Sequence, residues 1–473
     1  MSLRSSSGLA SSAAESWLQD SAAEDANPSS SHLTRSFLLS LLFTSIAASA
    51  SAFSDDEEVQ IHHFQQYLRI RTAHPDPDYS AAASFLLSLA HSIGLQTLTL
   101  EFAPNKPLLL LTWPGSEPSL PSILLNSHID SVPAEPDKWV HPPFSATRDP
   151  HTGRIYARGA QDDKCLAIQY LEAIRSLKRS GFSPLRSVHI SLVPDEEIGG
   201  ADGAEKFARS EEFRKLNVGL VLDEGQASPT DEFRIFYADR SPWRLFVKAT
   251  GSPGHGSRMY DGTAIEKLMD CAEAIARFRD SQFDMVKAGI SPASEVISIN
   301  PVYMKAGTPS PSGFVMNVQP SEAEMGFDLR LPPTVDPEQL KERINNEWVP
   351  SFKNMSYKLL QKGPIKDCNG KFLITLTNES NPWWPVFEKA VISSGKKLAK
   401  PEILSSTTDA RFMREMGIPT FGFSPMANTP ILLQTIMRNA VLQFLKDEVF
   451  VKGIKVYESI ISALSSFNLA SSE

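Results

Sequence analysis

From about Asp55 onward, short apolar runs with the length of buried strands alternate with longer segments typical of helices. The predicted strands are Leu108–Thr112, Ile123–Asn126, Val188–Val193, Gly219–Leu222 and Thr420–Phe423. The predicted helices include Glu57–Arg71, Cys165–Ser180 and Asp336–Asn345. This alternation predicts an α/β protein in which helices cover both faces of a mixed sheet.

Composition narrows the class of protein. The chain has 473 residues, enough for two domains, and its 41% hydrophobic and 21% charged residues are ordinary for a folded soluble protein. The net charge is −9 without a long basic run, which argues against a nucleic-acid-binding surface. Small molecules or a second copy of the chain are the expected partners. Cys165, Cys271 and Cys368 are too few and too far apart for a disulfide scaffold.

The amino terminus differs from the rest of the chain. Residues 1–31 are rich in Ser and Ala, and the uncharged segment after Arg35 ends in small residues near Ala52. This pattern resembles a secretory signal with a cleavage point, and it is too short to span a membrane comfortably. We therefore predict a leader at 1–54 with a signal-like segment at 35–52, and no membrane span in the mature protein. The predicted location is the secretory pathway or endoplasmic reticulum lumen, with the cytoplasm as the alternative.

The candidate chemistry lies where predicted strands end. Acidic or imidazole side chains follow three of these strands, and a further acid follows Arg158-Gly159-Ala160-Gln161; these residues are His128, Asp130, Glu196, Glu197, Glu224 and Asp162. In open α/β sheets, the carboxyl ends of the strands form the ligand-binding edge. Carboxylates that converge there repel one another unless a cation neutralises them. The sequence therefore predicts a pair of divalent metal ions, and imidazole with carboxylate favours zinc.

Two short motifs suggest separate roles for adjacent acids. In an extended segment, His128 and Asp130 project from the same face, so Asp130 can accept the ring proton of His128 and orient it towards a metal. Glu196 and Glu197 point in different directions, so one can bind metal while the other acts as general base. Taken singly, a His-x-Asp is usually a local hydrogen bond and an acidic run is usually solvated surface. The occurrence of both motifs in order along the chain favours a catalytic role for these residues.

Seven motifs in order resemble the dizinc aminoacylase and carboxypeptidase family, and the resemblance extends from about residue 56 to the end of the chain. The motifs are Asn126–Pro133, Tyr156–Asp162, Pro194–Glu197, Leu222–Gly225, Arg240–Trp243, Pro253–His255 and Gly422–Met426. The resemblance implies zinc-dependent hydrolysis of N-acyl-L-amino acids to a carboxylate and a free L-amino acid.

The resemblance also implies how the zinc ions are held. One zinc is bound by His128, Asp162 and Glu224, and Asp162 bridges to a second zinc bound by Glu197. Glu196 becomes the general base, and Asp130 orients His128.

The resemblance further implies a zinc-exopeptidase-like catalytic domain in two parts, 55–244 and 352–473, with an inserted α+β lid and dimerisation domain at 245–351. In the implied homodimer, His255 reaches the active site of the partner subunit and stabilises an oxyanion. Asn317 and Arg411 bind substrate, and Arg411 is suited to grip a free carboxylate by forked hydrogen bonds. Taken alone, His255 would be a turn histidine and Arg411 a cation on a helix surface.

The resemblance breaks after Leu433. The family pattern there contains His-Asp-His, whose second histidine binds the second zinc, whereas this chain has Gln434-Thr435-Ile436. The resemblance resumes at Phe444, so 434–443 is a local replacement. We expect weaker binding of the second zinc and reduced turnover. Two alternatives stay open: a dipeptidase or carboxypeptidase of the same family, and a dimeric relative without catalytic activity.

Overall fold

The computed structural model describes residues 53–363, 365–432, 436–437, 440–441 and 443–468, so the predicted leader lies outside the described residues. The α-helices are α1 (Asp55–Arg69), α2 (Tyr79–Ile93), α3 (Lys164–Arg179), α4 (Ala204–Ala208), α5 (Glu211–Lys215), α6 (Ala264–Lys287), α7 (Pro337–Arg343), α8 (Trp383–Ser393), α9 (Ala410–Glu415) and α10 (Asp447–Ser466). The short helices of other types are Pro136–Lys138, Glu196–Ile198, Ile344–Trp348 and Ser351–Lys353.

The strands are β1 (Gln96–Glu101), β2 (Pro107–Trp113), β3 (Ser122–His128), β4 (Thr147–Arg148), β5 (Arg154–Tyr156), β6 (Val188–Val193), β7 (Val218–Asp223), β8 (Ile235–Asp239), β9 (Ser241–Thr250), β10 (Gly254–His255), β11 (Ser298–Ala306), β12 (Pro309–Ser310), β13 (Gly313–Phe314), β14 (Val318–Gln319), β15 (Glu322–Leu331), β16 (Met355–Lys362), β17 (Glu402–Leu404), β18 (Thr420–Phe423), β19 (Ile436–Met437), β20 (Ala440–Val441) and β21 (Phe444–Lys446). Within the described part of the chain, no helix is both long enough and apolar enough to cross a membrane.

The larger sheet has eight strands in the order β1-β2-β6-β3-β7-β18-β8-β17. Its centre is parallel, because β6, β3, β7 and β18 pair in the same direction. Strands β1 and β2 pair antiparallel with their neighbours, and β8 pairs antiparallel with β18 but parallel with β17. Strands β3 and β6 are buried along their whole length, which explains their continuous apolar sequences. Because the central strands run parallel, their carboxyl ends meet at one edge of the sheet.

Helices cover both faces of this sheet, as predicted. Helices α1, α2, α8 and α10 pack around α3 or against one another on one side. On the other side, α4, α5 and α9 bury Phe207, Phe213 and Phe412 against Leu124 and Val221 of the sheet. Helix α1 begins two residues before its predicted start because Ser54 forms a capping box with Glu57, whose carboxylate accepts the Ser54 amide at 2.8 Å.

A second core lies in the inserted unit. Its antiparallel sheet has the order β11-β15-β9-β16, and α6 packs on it. Trp243, Leu268 and Phe327 are among the residues buried between them. Because β16 pairs with β9 rather than with the larger sheet, this sheet extends from 241 to 362, which is wider than the predicted 245–351.

Candidate metal centre

The predicted ligands meet at the carboxyl edge of the larger sheet. His128 is the last residue of β3, Glu197 lies in the short helix after β6, and Glu224 follows β7. Asp162 comes from the segment before α3. The Nε2 atom of His128 is 3.0 Å from Asp162 Oδ1 and 3.8 Å from Glu224 Oε2.

The donor set fits a transition metal such as zinc. Among the described residues, His128, Asp162 and Glu197 form one group, and His128, Asp163 and Glu224 form another, with the ligand atoms of each group within 4.8 Å of one another. Two atoms that each lie about 2.1 Å from one zinc are at most about 4.2 Å apart. The two His128 distances satisfy this limit, and imidazole with carboxylate is a donor set that zinc prefers.

Asp163 is a site residue that sequence reasoning missed. It is buried, Oδ1 accepts a hydrogen bond from Ser127 Oγ at 2.9 Å, and Oδ2 accepts one from the His128 amide at 3.2 Å. Burial raises the pKa of Asp163 to about 7, although the charge of His128 opposes this rise. Because both oxygens have protein donors, Asp163 is better placed to support His128 than to bind metal. The adjacent acids Asp162-Asp163 were the available sequence signal.

Asp130 contacts more of the site than its spacing predicted. The Nδ1–H of His128 donates to the Asp130 backbone carbonyl at 2.9 Å, whereas the carboxylate Oδ1 is 3.4 Å from Nδ1. The carboxylate instead accepts the amides of Glu196 and Glu197, each at 3.1 Å. It also accepts from His74 Nε2 at 2.8 Å. The His128 ring is therefore oriented mainly by the backbone carbonyl of Asp130, and not by its carboxylate as expected.

The electrostatics of the cluster favour a cation. Burial raises the pKa values of Glu196, Glu197 and Glu224 well above their usual range, and neighbouring carboxylates raise them further. Burial lowers the pKa of His128, but Asp163, Asp130 and Asp162 outweigh it and leave a net increase. Without a cation, the cluster therefore retains protons. A bound divalent ion would replace them and release them to solvent.

Arg411 lies beside the turn that carries the glutamates. Its guanidinium is mostly buried and donates to the backbone carbonyls of Thr408 at 2.6 Å and Gly199 at 2.8 Å. A substrate carboxylate would therefore have to use its other N–H groups. Asp409 is buried next to it, and neither of its carboxylate oxygens has a hydrogen-bond partner within the described part of the chain. Sequence reasoning missed Asp409, whose charge helps to raise the pKa of Glu196.

His255 and Asn317 lie together on the inserted unit, apart from the metal ligands. Strand β10 pairs with β14, and the Gly256 amide donates to the Asn317 carbonyl at 2.7 Å. Both side chains are exposed, and His255 Nδ1 is 2.8 Å from Ser257 Oγ. Within the described residues of a single chain, neither side chain contacts the metal ligands.

The replacement segment has anchored ends. Most of 434–443, including the side chain of Ile436, lies outside the described residues. On its amino-terminal side, the amide of Leu432 donates to Gln161 Oε1 at 3.2 Å. Gln161 Nε2 donates to Pro430 O at 3.1 Å and to Phe444 O at 2.8 Å. Gln161 directly precedes Asp162, so both ends of the segment lie beside the metal ligands.

Comparison with known proteins identifies the family to which this chain belongs. Residues 124–463 match peptidase family M20/M25/M40. The chain belongs to this family. Aminoacylase-1 of Sus scrofa is 40% identical over 424 residues, which cover 90% of this chain and 100% of that protein. Aminoacylase-1 of Dictyostelium discoideum is 41% identical over 421 residues, which cover 88% of this chain and 99% of that protein.

A solved structure shows the same fold. The crystal structure of a tripeptidase from Staphylococcus aureus aligns with a TM-score of 0.64 at 16% identity, covering 86% of this chain and 98% of that one. The predicted family and α/β fold class are thus confirmed. Family membership also implies a metal cofactor, which agrees with the donor set around His128.

Proposed function

We propose that this protein hydrolyses N-acyl-L-amino acids to a carboxylate and a free L-amino acid. The cluster around His128 carries the proposal, because it places one imidazole and several carboxylates at the binding edge of the sheet. The likeness to Aminoacylase-1 over nearly the whole chain supports the substrate class. The family supports chemistry on amide bonds.

The proposed roles are those that the family resemblance implies, and the grouping of His128, Asp162 and Glu197 supports them. His128, Asp162 and Glu224 would hold one zinc, and Asp162 and Glu197 would hold a second. When bound, zinc would polarise the acyl carbonyl and the attacking water. Glu196 is held beside Glu197 by a separate amide hydrogen bond and has a raised pKa, which suits a group that takes a proton from water and gives it to the leaving nitrogen.

Substrate recognition uses two regions. We propose that Arg411 attracts the free carboxylate of the substrate from beside the Glu196 turn. Asn317 and His255 lie together on the inserted unit, where His255 could donate a hydrogen bond to the oxyanion that forms as water adds. Because these two side chains do not contact the metal ligands of their own chain within the described residues, we propose that a second subunit supplies them.

The exposed edge of the inserted sheet supports the proposed homodimer. Strand β11 is an edge strand, and Val302 and Met304 on it are 66% and 62% exposed. An edge with exposed apolar side chains is a template for pairing with another chain. We propose that two copies associate through β11.

Met304→Lys tests the dimer, because a charge on β11 should prevent pairing. We expect the molar mass from light scattering to fall to that of one chain and turnover to fall, with zinc content per subunit unchanged. Val59→Lys, an exposed apolar position on α1, is the matched control. A variant that stays dimeric, or a parent chain that is monomeric at the same concentration, contradicts the proposal.

The function itself is tested by zinc content per subunit and by hydrolysis of N-acetylated amino acids. The natural chain is compared with the variant Gln434→His/Thr435→Asp/Ile436→His, which restores the family pattern. Two zincs and turnover in both proteins would show that another group replaces the lost histidine. Turnover in the restored variant alone would show that the replacement at 434–443 disables the enzyme.

The remaining alternatives are outcomes of the same assay. Cleavage of dipeptides without hydrolysis of acyl amino acids would favour an exopeptidase. A restored variant that binds two zincs and cleaves neither substrate would favour a relative without catalytic activity.

We also propose that the protein enters the secretory pathway, on the basis of the segment at 35–52. The prediction is checked by following a carboxyl-terminal fluorescent fusion in cells. An unprocessed product in the cytosol would contradict it.

A further inference from the structure

We propose that His74 is a positioning residue for the reaction, because it holds the Asp130 carboxylate and thereby fixes the turn that carries Glu196 and Glu197. His74 lies outside every motif on which the family resemblance depends. The inference rests on the roles proposed for the two glutamates and adds a residue from the connection between α1 and α2.

The first step concerns the Asp130 carboxylate, which is fully buried and links β3 to the turn after β6. Oδ1 accepts the Glu196 amide and Oδ2 accepts the Glu197 amide, each at 3.1 Å. These two amides open the short helix Glu196–Ile198. The carboxylate of Asp130 therefore determines where the backbone of both glutamates lies.

The second step concerns the donor that holds the carboxylate. His74 Nε2 lies 2.8 Å from Asp130 Oδ2, and its side chain is only 10% exposed. The two oxygens of Asp130 already accept the Glu196 and Glu197 amides, so they serve as acceptors, and Nε2 of His74 is the donor that faces them. Losing a donor to a buried carboxylate is costly.

The third step concerns what holds His74. Its amide donates to the Ser131 carbonyl at 3.0 Å, and the Ser131 amide donates to the Thr72 carbonyl at 3.0 Å. Ala73 forms a β-bridge with Ser131. Residues 72–74 are thus hydrogen-bonded to the residue that follows Asp130, and this fixes the distance between the imidazole and the carboxylate.

The experiment compares His74→Met with His74→Gln. Both side chains have a similar length, but only glutamine retains an N–H donor. The readouts are Zn²⁺ affinity by competition with a chromophoric chelator, hydrogen–deuterium exchange of residues 194–199 in zinc-free protein, and steady-state kinetics. His91→Met, an exposed position on α2 whose ring bonds Thr97, is the control.

For His74→Met, we expect Zn²⁺ affinity to fall by about 10-fold or more, as for other groups that orient metal ligands. The amides of Glu196 and Glu197 should exchange faster. The kcat should fall while KM changes by less than about 2-fold, because Glu196 and Glu197 act on the transition state rather than on substrate binding. His74→Gln should resemble the parent chain in all three measurements.

Wild-type affinity and exchange in His74→Met would overturn the inference, and so would equal losses in the Met and Gln variants. If His74→Met does not fold, His74→Asn replaces it, because its amide is too short to reach Asp130. The proposed function can fail separately: if the parent chain hydrolyses no N-acyl amino acid, zinc affinity and amide exchange still decide the role of His74.

Discussion

At the residue scale, the proposed roles of the adjacent Glu196 and Glu197 place two functions on one turn. Both amides donate to Asp130, so the backbone of the turn is fixed while the side chains diverge. Among the residues that the structure describes, Glu197 belongs to a group of possible metal ligands with His128, and Glu196 belongs to no such group. Under the proposed roles, this difference separates proton transfer from metal binding, so each should be removable by a single substitution.

We expect Glu196→Gln to lower kcat by about 100- to 10,000-fold, the range for loss of a general base. Zinc content per subunit should stay unchanged, because Glu196 is not needed as a ligand. Steady-state kinetics and metal analysis check this expectation in the variant of the chain that shows turnover. Glu379→Gln, an exposed position, is the control. Loss of zinc from Glu196→Gln would show that this residue binds metal instead.

The adjacent acids Asp162 and Asp163 give a second prediction. Asp162 Oδ1 lies 3.0 Å from His128 Nε2, whereas the Asp163 carboxylate accepts hydrogen bonds from the Ser127 hydroxyl and the His128 amide. We expect Asp162→Asn to abolish zinc binding at both positions and Asp163→Asn to weaken it by a smaller factor, about 10- to 100-fold. Calorimetric zinc titrations check the order. The reverse order would make Asp163 the bridging ligand.

At the element scale, strand β6 contains a histidine inside the sheet. His189 is buried between β2 and β3, and its Nδ1 lies 2.9 Å from Thr112 Oγ1. Burial lowers the pKa of His189 from 6.5 to about 4. As the pH falls below 6.5, the unfolded chain therefore takes up a proton before the folded one does. The free energy of unfolding therefore decreases as the pH falls from about 6.5, and the contribution of this group to the decrease levels off below about pH 4.

We expect this histidine to make the free energy of unfolding about 2 kcal/mol lower at pH 5 than at pH 7. The reason is that each pH unit below 6.5 changes this free energy by about 1.4 kcal/mol. His189→Gln, which can still bond Thr112, should lose that part of the pH dependence. Denaturant unfolding at the two pH values measures it, with His91→Gln as the exposed control. An unchanged pH dependence in His189→Gln would contradict the assignment to this residue.

The elements show what the sequence could and could not predict. Strands β2, β3, β6, β7 and β18 match their predicted positions within two residues, because strands buried on both faces have continuous apolar sequences. Strand β1, which is mostly exposed, and strand β9, in which buried and exposed positions alternate, lack that signal. For this reason, only the family resemblance predicts boundaries for the inserted sheet.

The same distinction applies to the site. His128, Asp162, Glu197 and Glu224 could be predicted because each lies at or near the end of an element that the sequence reveals. His74 and Asp409 could not, because their importance depends on burial and on contacts between distant segments. His74 and Asp130 are 56 residues apart, and no local spacing indicates that they meet.

At the scale of the whole molecule, the metal cluster should couple zinc binding to stability. The buried carboxylates of this cluster raise one another's pKa values, and a bound cation would lower these values again. A ligand that binds only the folded chain stabilises it by about 2.7 kcal/mol at a free concentration of 100 times its Kd. We therefore expect zinc to raise the Tm and a chelator to reverse the effect.

Differential scanning calorimetry with zinc, with magnesium and with chelator checks this prediction. Magnesium should have a smaller effect, because it prefers oxygen ligands to imidazole. Asp162→Asn should remove the response to zinc. A Tm that is the same with zinc and with chelator would show that the carboxylate cluster does not hold a metal in the folded chain.

Gln161 holds Leu432 and Phe444, the residues that flank the replaced stretch 434–443, beside Asp162. Both hydrogen bonds use backbone atoms of the flanking residues, so we expect the stretch between them to be exchangeable. Segments of different length and ligand content could therefore be grafted there without rebuilding the sheet. Histidine, cysteine or carboxylate cassettes would turn the second metal position into a variable site, in which metal preference is selected from a library while the first position stays constant.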